Sequence, residues 1–105
     1  MIQQVLDTVV KSLNDLKGKD IITLNTSTKS DLFDYIVIVT GKTTVHTRAI
    51  AKNLIRDVKK AGFKKHKLEG EDYGQWIITD INGVLVHIML EDVREYYCLE
   101  QLWGS

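Results

Sequence analysis

The side chains that first suggest chemistry in this 105-residue chain are His46, His66 and His87, the lone Cys98, and the run Gly41-Lys42-Thr43. That run imitates the end of a phosphate-binding P-loop, but such a loop needs a further glycine where Ile36 stands. Without a wide glycine loop no cradle of backbone amides surrounds the β- and γ-phosphates. The run therefore reads as a strand-to-helix turn whose helix N-terminus can at most attract an incidental anion. The three histidines fall on a helix start, a loop and a strand, with none of the paired spacing a metal needs. Cys98 alone can form neither an internal disulfide nor a cysteine zinc site, and it fits a reducing compartment. No glycine-flanked serine and no close Cys/His signature is present. Asp80 lies diagonally opposite His87 and could pass for an acid-base pair, but catalysis also needs a pocket that nothing announces, so a structural hydrogen bond or a partner contact is favoured. No catalytic, cofactor-binding or metal-ligating residue is assigned.

The elements that must position these residues follow from periodicity. Ile2, Val5, Leu6, Val9, Val10, Leu13 and Leu16 recur at helical spacing and predict an amphipathic first helix ending at Gly18, read as its C-cap glycine. Ile21, Ile22 and Leu24 predict a short strand, and the polar Asn25 to Ser30 stretch a loop. Tyr35 to Thr40 is an unbroken, β-branched apolar run, the pattern of a central strand covered on both faces. Thr43 or Thr44 caps a second helix, with Val45, Ala49, Ile50, Leu54, Val58 and Ala61 on one face and Gly62 as its stop.

Asn82-Gly83 between two apolar runs is the strongest short hairpin signal, because both turn positions take positive φ. A two-residue turn sets Ile81 opposite Val84, so Ile77, Thr79, Ile81, Val84, Val86 and Ile88 share one face. That aliphatic set suits a core. The other face carries Trp76, Ile78, Asp80, Leu85, His87 and Met89, a mixture that suits a contact surface. The competing reading is that helices cover both faces, since a last helix over Asp92 to Trp103, anchored by Val93, Tyr96, Tyr97, Leu99, Leu102 and Trp103, must also pack somewhere. Composition leaves Trp76 and Trp103 divided between core and interface.

The length allows one domain over residues 1–105. Lys plus Arg and Asp plus Glu both number 14, so the mean field attracts neither DNA nor an anionic membrane, and any ribosomal RNA contact is peripheral. The one basic concentration, Lys59, Lys60, Lys64, Lys65 and Lys67, is followed at once by Glu69, Glu71 and Asp72 and reads as a solvated face. No apolar run approaches the roughly 20 residues that span a bilayer, and Met1 to Lys11 lacks the pattern of a secretory leader. A cytoplasmic protein is expected.

From Asp34 onward a series of motifs resembles the ribosomal silencing factor (Iojap-like) family. They are Asp34 to Gly41, His46 with Arg48-Ala49-Ile50-Ala51, Glu69-Gly70, Trp76-Ile77-Ile78-Thr79-Asp80, Val86-His87 and Arg94 to Trp103. Each is weak alone; their order makes the resemblance strong. One departure is the turn, where relatives commonly read Asp, apolar, Gly, Asp and this chain reads Asp80-Ile81-Asn82-Gly83. The resemblance implies an α/β (α+β) fold with a mixed sheet of four to five strands, helices packed on it, and a nucleotidyltransferase-like topology without the catalytic signature of those enzymes. It implies binding to the large ribosomal subunit through its fourteenth protein, a steric block to joining of the subunits, and repression of translation when nutrients are scarce. It also implies that one surface can serve a homodimer and the ribosome. Taken with the derived register, it makes Trp76, Ile78, Leu85 and Met89 the apolar anchors and Asp80, His87 and Glu69 the polar contacts toward a basic protein. Alanine at Trp76, Leu85 or Met89 is then expected to abolish binding and leave the fold intact. The rivals are a nucleotidyltransferase-like enzyme and a direct ribosomal-RNA-binding assembly factor.

Overall fold

A computed structural model describes residues 2–63 and 67–104, with side chains through residue 102. Lys64, Lys65, His66 and the Trp103 side chain, all invoked above, lie outside the described residues. In chain order the elements are α1 (Ile2–Asp15), β1 (Lys19–Asn25), β2 (Tyr35–Gly41), α2 (Thr44–Lys60), β3 (Trp76–Ile81), β4 (Val84–Leu90), α3 (Glu91–Tyr97) and α4 (Leu99–Gly104). The strands form one mixed sheet in the order β1-β2-β4-β3, with β2 parallel to β4 and both outer pairs antiparallel.

Asn82 (φ 48°) and Gly83 (φ 92°) take up the left-handed turn their types favour, and Ile81 pairs with Val84 as derived. The aliphatic face of the hairpin is therefore inward. Ile77, Ile81, Val84, Val86 and Ile88 join Val37 and Val39 of β2 against Val5, Leu6, Val9 and Leu13 of α1 and Ile50, Ala51, Leu54 and Val58 of α2. β2 is buried on both faces from Ile36 onward and lies centrally, as its unbroken apolar run requires. Where α1 meets α2, the buried Asn53 amide donates to the Ser12 carbonyl (3.2 Å) and hydroxyl (3.1 Å), so its polar group is satisfied across the seam.

Three details differ from the sequence reading. α1 ends in a Schellman turn whose left-handed residue is Lys17 (φ 60°), with Lys17 N–H donating to Asn14 and Gly18 N–H to Leu13. Gly18 is needed for close approach instead: a Cβ there would stand 2.5 Å from the Val39 side chain. On α2, Thr43 is the cap, accepting from His46 N–H, and Gly62 (φ 82°) stops the helix as expected. Its buried stripe runs through Thr47, Ile50, Ala51, Asn53, Leu54 and Val58, which leaves Val45 and Ala61 exposed at the two ends. The last helix is two short ones, broken at Cys98, which adopts the left-handed conformation (φ 50°) with no glycine to announce it. Tyr96, Tyr97 and Leu102 are exposed, so they are not the buried anchors that periodicity suggests.

The break is held by Arg94. Its buried guanidinium donates to Glu100 (3.1 Å), to the Asp20 carbonyl (2.7 Å) and to Thr40 Oγ1 (2.9 Å), tying α3 to α4, β1 and β2 at once. Removing one partner of a buried, multiply bonded charge leaves the other stranded. Arg94→Ala is expected to lower the unfolding free energy by about 3 kcal/mol or more in urea titrations; a loss no larger than a surface substitution gives would contradict the clasp. Thr79 has the opposite prospect. Its hydroxyl is buried on the core face without a hydrogen-bond partner, so Thr79→Val should raise stability by about 1 kcal/mol in the same assay.

Candidate functional site

The register lays the second face of the sheet out in three rows. Leu24, Ile36, Leu85 and Asp80 form the row nearest the hairpin turn. Ile22, Ile38, His87 and Ile78 form the middle row, which Glu69 extends by a bridge to Ile78 beyond β3. Thr40, Met89 and Trp76 form the third. Cover is therefore unequal. Ile36, Ile38 and Met89 are buried and pack with Leu24, Trp76, Leu85, Val93 and Leu99, while Ile78, Asp80, Leu85 and Trp76 remain half-buried and Glu69 exposed. The two readings of this face each hold for part of it: the short helices help to bury Ile36, Ile38 and Met89, and the β3 side with Leu85 stays partly open.

Trp76, Ile78, Asp80, Leu85 and Glu69 lie together on the open part. Met89 does not join them: it is 0% exposed, sealed under the roof, and supports the face from below. His87 is only 7% exposed, and its Nδ1 accepts a hydrogen bond from Trp76 Nε1 (2.9 Å). Asp80 Oδ1 accepts from the Gly83 amide (3.2 Å), so this carboxylate also braces the turn.

The family motifs outside the face prove to be its scaffolding. Nδ1 of His46 accepts from Lys42 N–H (2.9 Å), which leaves Nε2 as the proton-bearing nitrogen facing the Leu16 carbonyl (2.7 Å). One ring thereby joins the β2-α2 turn to the end of α1. The Gly41-Lys42-Thr43 turn is occupied by its own side chains, and a Cβ on Gly41 would meet Thr47 at 2.5 Å. Arg48 donates to the carbonyls of Glu71 (2.9 Å) and Asp72 (2.6 Å), and the Thr47 hydroxyl to that of Gly74 (2.6 Å). Together they hold the loop that delivers Trp76 to β3. Gly70 (φ 87°) lies so close to the Trp76 carbonyl that no side chain fits there.

Sequence reasoning missed Leu24 and Ile36, which join the face through strand pairings between segments far apart in the chain. It also missed Tyr97 as a neighbour of Trp76, whose ring it meets at a tilt of 48° with the centroids 4.7 Å apart. A cleft of about 610 Å³ opens between β1 and α3-α4, lined by Asp20, Thr40, Arg94, Cys98 and Glu100 among others. Its guanidinium is already consumed by the clasp and its thiol donates to the Glu95 carbonyl (2.8 Å), so it presents no nucleophile paired with a base. Among the described residues no cluster of His, Cys, Asp or Glu is arranged to hold a metal, and no helix is long and apolar enough to cross a membrane.

Burial lowers the pKa of the His87 imidazole from 6.5 to about 4. Above pH 6.5 the ring is neutral in both the folded and the unfolded chain and contributes nothing to the pH dependence. As pH falls from 6.5 towards 4 the unfolded chain takes up a proton that the folded chain refuses, so stability declines by about 1.4 kcal/mol per pH unit, on the order of 3 kcal/mol in all, and then levels off. Chemical denaturation across that window should show this slope in the parent and lose it in His87→Gln; parallel curves for the two would contradict the assignment.

Comparison with known proteins agrees with this arrangement. The family model described as "Ribosomal silencing factor during starvation" matches residues 1–105. A ribosomal silencing factor of Chromobacterium violaceum is 39% identical over 104 residues, covering 99% of this chain and 85% of that protein. One of Haemophilus influenzae is 39% identical over 100 residues, covering 95% and 98%. A crystal structure of a Chromobacterium violaceum protein superposes with a TM-score of 0.96 at 38% identity, covering all of this chain and 88% of the other. The motif series, the mixed sheet and these matches agree, and the chain belongs to the ribosomal silencing factor family, whose members act as regulators at the ribosome.

Proposed function

We propose that this chain, acting as a single cytoplasmic domain, represses translation by adhering through the open part of its mixed face to the large ribosomal subunit. The contact is with that subunit's fourteenth protein, on the surface that meets the small subunit, and its effect is to keep the two subunits apart when nutrients are scarce. One observation carries the reading: one side of the sheet is sealed by two long helices, whereas the other leaves Trp76, Ile78, Leu85, Asp80 and Glu69 grouped and accessible. Steric exclusion needs an adhesive patch and no reaction, which suits a chain in which no reactive constellation forms among the described residues.

The energetics are of the right order. Burying an apolar side chain contributes about 1.5 to 3 kcal/mol, so Trp76, Ile78 and Leu85 together outweigh a modest association cost. Lost rotational and translational freedom takes back several kcal/mol or more, so tight binding also requires the polar groups to be matched. Asp80 and Glu69 offer carboxylates to a basic partner, and His87 contributes by holding Trp76. The direct RNA-binding alternative is disfavoured by placement: Lys59 and Lys60 end α2, which packs on the opposite side of the sheet.

Trp76→Ala and Leu85→Ala should each weaken co-sedimentation with purified large subunits by about tenfold or more while the circular dichroism spectrum stays unchanged. Met89→Ala, by contrast, leaves a cavity under α3 and should register as a stability loss of about 2 to 5 kcal/mol. Full-strength binding by both Trp76→Ala and Leu85→Ala would contradict the placement of the contact.

A further inference from the structure

The mixed face does not stop at the sheet. His87 fixes the Trp76 ring through the 2.9 Å bond to Nε1, with the two ring centroids 5.8 Å apart. Trp76 packs on Tyr97 at 4.7 Å, and Tyr97 meets Tyr96 edge-on at 5.0 Å and 83°. Exposure climbs along this series, from 7% at His87 to 52% at Tyr97 and 81% at Tyr96. It is a continuous aromatic ladder, anchored in the interior at one end and open to solvent at the other. Exposing two neighbouring tyrosines forgoes the burial that normally places such rings, and nothing in the fold requires it, since Val93 and Leu99 already cover the sheet there.

The charges around the ladder select its occupant. Arg94, the only base in α3, points inward into the clasp, and the remaining charged residues of that helix are Glu91, Asp92 and Glu95. Helical spacing puts Asp92 and Glu95 on the same outer face as Tyr96. A cation approaching the tyrosine rings meets aromatic faces and carboxylates together, whereas a nucleic acid backbone would meet like charge.

We infer that the Trp76-Tyr97-Tyr96 ladder is a docking surface for arginine or lysine side chains of a basic protein, extending the sheet contact onto the outer face of α3. The inference deepens the adhesive reading of the preceding subsection and rests on it for the identity of the natural partner. The ladder itself is assigned from ring geometry and charge alone. His87 serves here as a positioning residue, setting the Trp76 ring without touching the cation.

The test uses the full chain with Trp103→Phe, so that Trp76 is the sole tryptophan, titrated with a polyarginine peptide and separately with oligouridylate. Saturable change in Trp76 fluorescence is expected with the peptide, about tenfold weaker in Tyr96→Ser and Tyr97→Ser and nearly unaltered in the corresponding phenylalanine variants. Equal peptide binding by both serine variants would overturn the ladder, and so would tighter binding of oligouridylate than of the peptide. Large-subunit co-sedimentation of the same variants separates the two claims. A parent chain that binds the peptide as described and ignores the subunit removes the ribosomal reading and leaves the ladder standing. A parent chain and serine variants that all bind the subunit equally well remove the ladder alone.

Discussion

Parallel pairing of β2 with β4 puts two strands that are apolar on both sides at the centre of the sheet, and strands of that kind must be covered on both faces. The chain meets that demand unevenly. One face receives α1 and α2, of 14 and 17 residues, and is closed completely. The other receives only α3 and α4, of 7 and 6 residues, whose Val93 and Leu99 help to bury Ile36, Ile38 and Met89 while Ile78, Asp80 and Leu85 stay half-buried. A patch of half-buried apolar and acidic groups therefore persists on this face, and it is the surface that the proposed adhesion would use.

The same unevenness explains which residues of the family motifs serve the surface and which serve the frame. Among the described residues of those motifs, Trp76, Ile78, Asp80 and Glu69 reach the open patch. His46, Thr47 and Arg48 lock the turns and the loop that aim β3, and Arg94 locks the roof at a fixed distance from the sheet. Because the clasp bonds to a backbone carbonyl of β1 and a hydroxyl of β2, the open patch and the aromatic ladder hold a fixed geometry. Pre-organisation of this kind lowers the ordering cost of binding, which matters for a domain small enough to have little stability to spare.

Much of this was legible in the residues. Alternation and the Asn82-Gly83 turn determine the register of β3 and β4, and the register determines which six side chains share each face, because a one-residue slip would reverse every one of them. The unbroken apolar run from Tyr35 marks β2 as central for the same reason. What composition could not show is depth. Met89 and Trp76 occupy paired positions on one face, yet the first is sealed and the second accessible, because the difference is made by where α3 ends. That end depends on a left-handed Cys98 which no glycine or proline signals, so periodicity predicts one helix where two occur and makes anchors of the exposed Tyr96 and Tyr97. Leu24 and Ile36 stayed hidden because strand pairings between segments distant in the chain bring them to the face.

Adhesion in place of catalysis is tested by following formation of whole ribosomes from purified subunits on a sucrose gradient in the presence of a saturating excess of this protein. The subunits should remain as two separate peaks, with the protein travelling in the larger. Normal assembly into whole ribosomes under those conditions would contradict it.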